Sequence, residues 1–116
     1  MSKIVRYESK GVLSKAVEHA EIVYLAGITA ADKLKGIKQQ TAETLATIDR
    51  LLTVSGTSKS KILTAMVWLS DIRNRAAMNE AWTEWADPGN LPARACVEAR
   101  LGDPDCLVEI QVTAAK

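Results

Sequence analysis

Three polar side chains near the end of the chain have the types and the spacing of a small reactive site. In one stretch, Arg94 and Cys96 alternate with apolar residues. In the next stretch, Glu109 lies between the apolar residues Val108 and Ile110. A period of two is typical of β-strands whose two faces meet different surroundings. Because Gly102-Asp103-Pro104-Asp105 provides a turn between the stretches, we predict that the two strands pair antiparallel. The three side chains would then lie together on the sheet face away from the hydrophobic core.

The chemistry of these groups leaves two interpretations open. A guanidinium binds a carboxylate through parallel hydrogen bonds, and a carboxylate can orient or deprotonate a water. Arg94 can equally form an interface ion pair with Glu98 or Glu109, since structural ion pairs also place charges on sheet faces. Cys96 is interpreted as a small buried side chain, because a reactive thiol would need a lowered pKa. A ligand site and a structural ion pair therefore remain alternatives at this point.

The composition argues against several other classes of protein. The 116 residues carry a net charge of +1 and no block of Lys or Arg, which disfavours nucleic acid as a partner. No apolar run approaches the roughly 20 residues of a membrane span. The N-terminus lacks the apolar core of a signal peptide, so we predict a cytoplasmic protein. One His, two Cys and no Cys-x-x-Cys motif leave too few soft ligands for a metal site.

Hydrophobic periodicity predicts one domain, residues 1–116, in the order strands, helix, strand, helix, two strands. An apolar stripe that includes Leu45, Ile48 and Leu52 predicts an amphipathic helix over residues 36–54, which Gly56 ends in a left-handed cap. Asp71 or Asn74 is predicted to cap the second helix. The predicted strands are residues 4–7, 14–17, 22–27, 61–69, 92–101 and 107–112.

The strand at residues 61–69 constrains the architecture most, because both of its faces are apolar. Such a strand must be covered on both sides. The two helices can cover one face of a single sheet, so we predict that another subunit covers the other face. Small-molecule sites often form in clefts between subunits. One face carries Ile62, Met66 and Trp68, and the other carries Leu63, Ala65, Val67 and Leu69.

Six short strings make the chain similar to the Rid family of reactive-intermediate deaminases (the YjgF type), and to its short YoaB-like branch in particular. They occur in the family's order over about residues 3–115, and Pro-x-Arg-x-Cys-Val followed by Val-Glu-Ile is the most specific part. The strings are Ser14-Lys15-Ala16-Val17, Val23-Tyr24-Leu25-Ala26-Gly27, Ile48-Asp49-Arg50-Leu51-Leu52, Met78-Asn79-Glu80-Ala81-Trp82, Pro92-Ala93-Arg94-Ala95-Cys96-Val97 and Val108-Glu109-Ile110.

The resemblance implies a fold, an assembly and a reaction. The fold is α+β and chorismate-mutase-like, with one mixed sheet of about six strands and two helices on one face. The assembly is a homotrimer with ligand clefts between subunits. The reaction is hydrolysis of small 2-imino acids, such as 2-iminopropanoate and 2-iminobutanoate, to 2-oxo acids and ammonia. The family uses no cofactor for this reaction, and its ligand is a small carboxylate-bearing metabolite.

The resemblance also implies roles for individual residues. Arg94 matches the family arginine that binds the substrate carboxylate, and Glu109 matches the glutamate that helps to place the attacking water. Cys96 matches a cysteine that lines the pocket, and Gly27 matches a glycine where the backbone approaches the ligand. Ser14, at the start of the second strand, is included among the predicted substrate-binding residues.

Two positions differ from the family pattern. Typical imine deaminases have a tyrosine just before the second strand, where this chain has Leu13-Ser14-Lys15, and many have Gln after the glycine, where this chain has Ile28. The missing phenol favours a second hypothesis, in which the same cleft binds a small carboxylate metabolite without turnover.

Chorismate-mutase-like chemistry, a third possibility, rests on an analogy of fold alone. Asn79 matches a helix position at which packing or capping is expected.

Overall fold

Six β-strands and two α-helices form the framework of residues 3–116, which confirms the α+β architecture predicted from the sequence. A computed structural model describes residues 3–116, so the first two residues of the predicted domain lie outside the described residues. Short 3-10 helices, Lys59–Lys61 and Ile72–Asn74, precede the fourth strand and the second helix. The strands are β1 (Val5–Lys10), β2 (Leu13–His19), β3 (Ile22–Leu25), β4 (Ile62–Leu69), β5 (Ala93–Glu98) and β6 (Val108–Ala115), and the helices are α1 (Ile37–Val54) and α2 (Arg75–Trp85).

The strands form one mixed sheet in the order β1-β2-β3-β6-β4-β5. β4 lies between β5 and β6, parallel to the first and antiparallel to the second. The prediction that β5 and β6 are antiparallel neighbours is therefore wrong. A parallel pair needs a long crossover connection, and α2 provides it between β4 and β5. The segment after β5 crosses the end of β4, where Ala99 N–H donates to Leu69 C=O and Ser70 N–H donates to Leu107 C=O.

A β-bulge changes which face of the sheet one apolar residue of β4 occupies. The register shifts between Ile62 and Thr64, and the extra residue turns the Ile62 side chain to the helix side, where it is buried. The prediction that Ile62 shares a face with Met66 and Trp68 is wrong for this reason. The sequence predicts that Leu63 shares a face with Ala65, Val67 and Leu69. Those three are buried, whereas Leu63 is 46% exposed because of the bulge.

The hydrophobic core lies between the sheet and the two helices. Apolar residues spaced three and four apart line one side of each helix, and each large one contributes roughly 1.5–3 kcal/mol when fully buried. The buried apolar side chains of the helices are Leu45, Ile48, Leu51, Leu52, Met78, Ala81 and Trp82.

The helix ends follow local sequence signals. α1 ends at Val54, and Gly56 follows with a φ of 83°, the left-handed cap that the sequence predicts. Of the two predicted caps for the second helix, Asn74 is the N-cap residue of α2 but makes no side-chain cap hydrogen bond. Asp71 instead caps the short 3-10 helix Ile72–Asn74 that precedes α2. Its carboxylate accepts a hydrogen bond from the Arg73 backbone N–H, and the Arg73 guanidinium lowers the pKa of Asp71 to about 2.

The sheet face opposite the helices is only partly buried in the single chain. Met66 and Trp68 are half-buried there, and Tyr24 and Val97 are 46% and 41% exposed. Val97 is the register partner of Trp68, so these two apolar side chains are neighbours. Contiguous exposed apolar surface marks interaction sites more often than scattered residues do. This is the face on which the sequence predicts a second layer.

One buried amide joins the loop before α1 to the start of β6. The Gln40 side chain is fully buried and donates to the backbone carbonyls of Lys35 at 2.9 Å and Asp105 at 3.2 Å. Its carbonyl oxygen accepts from the Leu107 N–H at 2.9 Å. Gln40 therefore fixes the backbone two residues before Glu109.

Replacing Gln40 by methionine is expected to lower the free energy of unfolding by about 2 kcal/mol or more. Methionine has a similar volume but leaves the partner backbone groups buried without hydrogen bonds. Chemical denaturation of the purified protein measures the change. Gln39→Met, on the exposed side of the same helical turn, is the control, with an expected effect within about 0.5 kcal/mol. Equal stabilities of the two variants would contradict this role for Gln40.

Candidate functional site

Arg94 and Cys96 lie on the helix side of the sheet. In the parallel register Arg94 pairs with Ala65 and Cys96 pairs with Val67, and both partners face the core. The prediction that these side chains lie on the face away from the core, with the guanidinium directed away from the helices, is wrong. The predicted alternation with a period of two is present in β5. Because hydrophobicity alone assigned the apolar side chains to the core, it put Arg94 and Cys96 on the wrong face of the sheet. On this edge strand the apolar Val97 occupies the open face instead.

Three side chains of α2 contact the Arg94 guanidinium. Its Nη2 donates to Asn79 Oδ1 at 2.7 Å, and its Nη1 donates to the sulfur of Met78 at 3.8 Å. The guanidinium carbon lies 4.8 Å from the centroid of the Trp82 ring, a cation–π distance. A guanidinium has more N–H donors than these contacts use. Arg94 is therefore held in one orientation while part of its planar fork stays available to a ligand.

A groove of about 420 Å³ begins at Arg94 and runs between α2 and the turn before β5. Apolar side chains make up most of its walls. Arg94 is the only charged side chain among them. The lining residues are Asn79, Trp82, Thr83, Ala86, Pro88, Leu91 and Arg94.

Glu109 lies on the opposite face of the sheet, in register with Trp68. A Cβ atom at position 27 would overlap the Glu109 carboxylate, so Gly27 is the residue that lets this carboxylate approach the backbone. Within the chain it is the Glu109 side chain that lies against Gly27, and the approach of a ligand to this glycine stays a prediction. A cavity of about 200 Å³ borders the carboxylate, and Trp68, Ala99, Arg100, Leu101 and Gly102 also line it.

One chain does not bring Arg94 and Glu109 together. They lie on opposite faces of the sheet, and β4 separates their strands. Their register partners on β4, Ala65 and Trp68, are three residues apart, which is about 10 Å along a strand. A carboxylate bound at Arg94 therefore lies out of reach of the Glu109 carboxylate of the same chain.

The other two predicted site residues, Cys96 and Ser14, lie in different parts of the sheet. Cys96 is half-buried beside Arg94 and packs against the core, whereas Ser14 lies on β2, four strand spacings from β5, or about 19 Å. The Ser14 hydroxyl is hydrogen-bonded to the Ser9 hydroxyl at 2.7 Å. The structure thus pairs Cys96 with Arg94 on the helix side and leaves Ser14 distant from both.

The structural ion-pair interpretation does not hold within the chain. Among the ion pairs of residues 3–116, none includes Arg94 or Glu109. The Glu98 carboxylate instead accepts a hydrogen bond from the Ile72 N–H at 3.0 Å. Arg94 therefore has no carboxylate partner in the described part of the chain, which leaves its positive charge for a ligand.

Sequence reasoning missed the groups that support Arg94. It assigned Asn79 to packing or capping, yet Asn79 and Trp82 both contact the guanidinium. Their spacing of three on one face of α2 is the signal available in the sequence. Nothing in the pattern indicated that this face lies beside β5, because that depends on the parallel pairing of β4 and β5.

Three further properties of the described residues bear on what the chain can do. No helix within residues 3–116 is long and apolar enough to cross a membrane. The same residues contain no group of three or more His, Cys, Asp or Glu side chains that could hold a metal ion. Burial raises the pKa of the Cys106 thiol, which keeps it protonated and unreactive at neutral pH.

Comparisons with known proteins agree along the whole described chain. The family model described as Endoribonuclease L-PSP matches residues 3–116. A RutC family protein from Haemophilus ducreyi is 42% identical over 112 residues, covering 97% of this chain and 96% of that protein. RutC family protein YoaB from Escherichia coli strain K12 is 40% identical over 115 residues, covering 97% of each. The crystal structure of a YjgF family member from Neisseria meningitidis has a TM-score of 0.93 at 39% identity, covering 98% of this chain and 95% of that chain.

Proposed function

This chain belongs to the endoribonuclease L-PSP family, whose members include the RutC and YjgF proteins, and we propose that it hydrolyses small 2-imino acids to 2-oxo acids and ammonia. The observation that carries the proposal is the Arg94 guanidinium, which α2 holds at the end of an open groove. A fixed guanidinium fits the carboxylate that every 2-imino acid shares. We propose further that the domain of residues 1–116 acts in the cytoplasm, without a cofactor, on imines that pyridoxal-phosphate enzymes release.

The reaction requires one water molecule and two proton transfers to the nitrogen. Water adds to the imine carbon, and the electron pair of the C=N bond moves to the nitrogen. Glu109 takes a proton from the water and returns it to the nitrogen, as a general base and then a general acid. Glu109 then takes the hydroxyl proton of the resulting carbinolamine and passes it to the nitrogen, so that the C=O bond forms as the C–N bond breaks and ammonia leaves. Arg94 holds the substrate carboxylate throughout, so that the imine carbon stays beside the attacking water.

Two copies of the chain are proposed to form each site, because one chain keeps Arg94 and Glu109 on opposite faces of the sheet. Arg94 would come from one copy and Glu109 from the next. A contact of this head-to-tail kind, repeated around an axis, closes into a ring. We propose a homotrimer, in which neighbouring copies cover the open face around Met66 and Trp68.

Asn79 is proposed as a positioning residue for Arg94. Asn79→Ala is expected to raise KM for a 2-imino acid about 10-fold, since a hydrogen bond to a charged group contributes roughly 1.5–3 kcal/mol. We expect kcat to change little, because Asn79 lies away from the reacting carbon. Steady-state kinetics separates the two constants.

Glu80→Ala, at the next and exposed position of α2, is the matched control for Asn79. We expect wild-type KM and kcat for it. A merely structural role for Asn79 would give a lower melting temperature with an unchanged KM, and that result would contradict the positioning role.

A decay assay tests the proposed reaction directly. An amino-acid oxidase generates the imine in situ, and trapping with semicarbazide reports how much imine remains. Wild-type protein is expected to accelerate the loss of imine and to release 2-oxo acid and ammonia in equal amounts. An unchanged decay rate for every imine tried would contradict the proposal.

The family name suggests RNA as a competing substrate. A net charge of +1 without a basic block provides little attraction for a phosphate backbone. We therefore propose that nucleic acid is not the partner of this chain, and protein that hydrolyses imines is expected to leave RNA intact under the same conditions.

A binding module is the second candidate function, and the residues near the start of β2 favour it. The family tyrosine is replaced by Leu13-Ser14-Lys15, and the Ser14 hydroxyl is already paired with Ser9. In this case Arg94 would hold a 2-oxo acid or a related carboxylate without turnover. A rise in melting temperature with the ligand, together with no imine hydrolysis, would identify the module.

A further inference from the structure

The groove beside Arg94 is larger than the smallest 2-imino acids require. Its volume is about 420 Å³, which falls within the roughly 300–1,000 Å³ of pockets that enclose drug-sized ligands. A methyl or ethyl group would leave most of this space to water. The groove therefore has room for a substrate with a much larger side chain.

The walls of the groove are suited to an apolar side chain. Trp82 and Thr83 lie in the last turn of α2 and Ala86 is the residue that caps this helix, and all three line the same side of the groove. Pro88 and Leu91 form the opposite wall. Since Arg94 is the one charged residue in this lining, a ligand that pairs its carboxylate with Arg94 must place the rest of its atoms along apolar surface.

Leu91 is an exposed apolar residue in the wall of the groove. Its side chain is 65% exposed in the single chain, in the turn that connects α2 to β5. Covering it with a ligand removes apolar surface from water on both partners. Each CH₂ group that a ligand buries is worth roughly a fourfold gain in affinity.

We propose that the preferred substrates of this site are 2-imino acids with a large apolar side chain, branched aliphatic or aromatic. The carboxylate pairs with Arg94, and the side chain lies between Trp82 and Leu91. The proposal rests on the function proposed above and specifies the substrate class of that same site. Water addition and release of ammonia proceed as described there, because the side chain takes no part in bond making.

The test compares kcat/KM for the imines of leucine and phenylalanine with kcat/KM for the imine of alanine. In wild-type protein we expect the ratio of large to small imines to be at least about 10, the usual discrimination of an apolar pocket. Thr83→Phe, which fills the groove, and Leu91→Ala, which removes a wall, are both expected to lower this ratio toward one. Ala76→Phe, on an exposed position of α2 outside the groove, is expected to keep the wild-type ratio.

A binding measurement separates failure of the substrate class from failure of the reaction. The probes are 4-methyl-2-oxopentanoate, phenylpyruvate and pyruvate, which carry the same carboxylate and cannot turn over. Calorimetry is expected to give at least about 10-fold tighter binding of the two large acids, reduced in Thr83→Phe and Leu91→Ala. Equal or tighter binding of pyruvate would overturn the proposed substrate class. A preference for the large acids that both variants retain would overturn it as well. Tight binding of the large acids without hydrolysis of any imine would support the substrate class and contradict the reaction.

Discussion

Replacing Arg94 by alanine is expected to lower kcat/KM for 2-imino acids by roughly 100-fold or more, because truncating one partner of a desolvated charge pair typically costs 2–5 kcal/mol. The substrate carboxylate loses the only positive charge in the groove. Asn79 and Trp82 also lose their contacts with the guanidinium. The decay assay measures the loss, and sedimentation of the variant shows whether the assembly persists.

Two further variants distinguish the guanidinium from positive charge in general. Arg94→Lys keeps the charge but cannot form parallel hydrogen bonds to a carboxylate, so we expect it to remain far below wild type. Arg75→Ala removes an exposed arginine from the start of α2 and is expected to keep full activity. Hydrolysis by Arg94→Ala at the wild-type rate would show that the carboxylate binds elsewhere.

Replacing Glu109 by glutamine is expected to lower kcat by about 100-fold to 10,000-fold, the usual contribution of a positioned acid or base. Glutamine has the same shape and fits over Gly27, where the glutamate carboxylate now lies. It has no basicity with which to take a proton from water. Since the carboxylate anchor Arg94 is untouched, we expect KM to stay within a few-fold of wild type.

Glu21→Gln is the control for the loss of a carboxylate. Glu21 is exposed in the turn between β2 and β3, away from both halves of the proposed site, so this variant is expected to have wild-type kcat. If Glu109→Gln raised KM and left kcat unchanged, Glu109 would bind the substrate and would not take part in the chemistry.

The elements of this fold could be predicted from local sequence patterns, and their arrangement could not. Gly56 and Asp71 mark helix ends through backbone geometry and one side-chain hydrogen bond, so their neighbours in sequence determine their roles. The order of strands depends on contacts distant in sequence. The turn at residues 102–105 indicated that β5 and β6 pair as a hairpin. In the structure, β4, which is apolar on both faces, lies between them.

The same distinction applies to the site. The residue types of Arg94 and Glu109 indicated carboxylate binding and water activation. That hypothesis rests on the chemistry of the two side chains alone. The face each one occupies depends on the bulge and the parallel pairing of β4. Hydrophobicity placed Val97 in the core and Arg94 outside it, whereas α2 offers an amide, a sulfur and an indole ring to the guanidinium. We propose that a neighbouring copy covers the open sheet face, so that the apolar Val97 need not lie in the core of its own chain.

Mixing two inactive variants tests most directly whether neighbouring copies share each site. Differently tagged Arg94→Ala and Glu109→Gln chains are co-expressed, and assemblies that carry both tags are purified and assayed. If Arg94 and Glu109 come from adjacent copies, each mixed trimer has one interface in three that joins two intact residues, so the purified mixed assemblies are expected to have about a third of the wild-type activity. If both residues act within one chain, no mixed assembly contains an intact site. Mixed assemblies that remain as inactive as the separate variants would contradict the shared site.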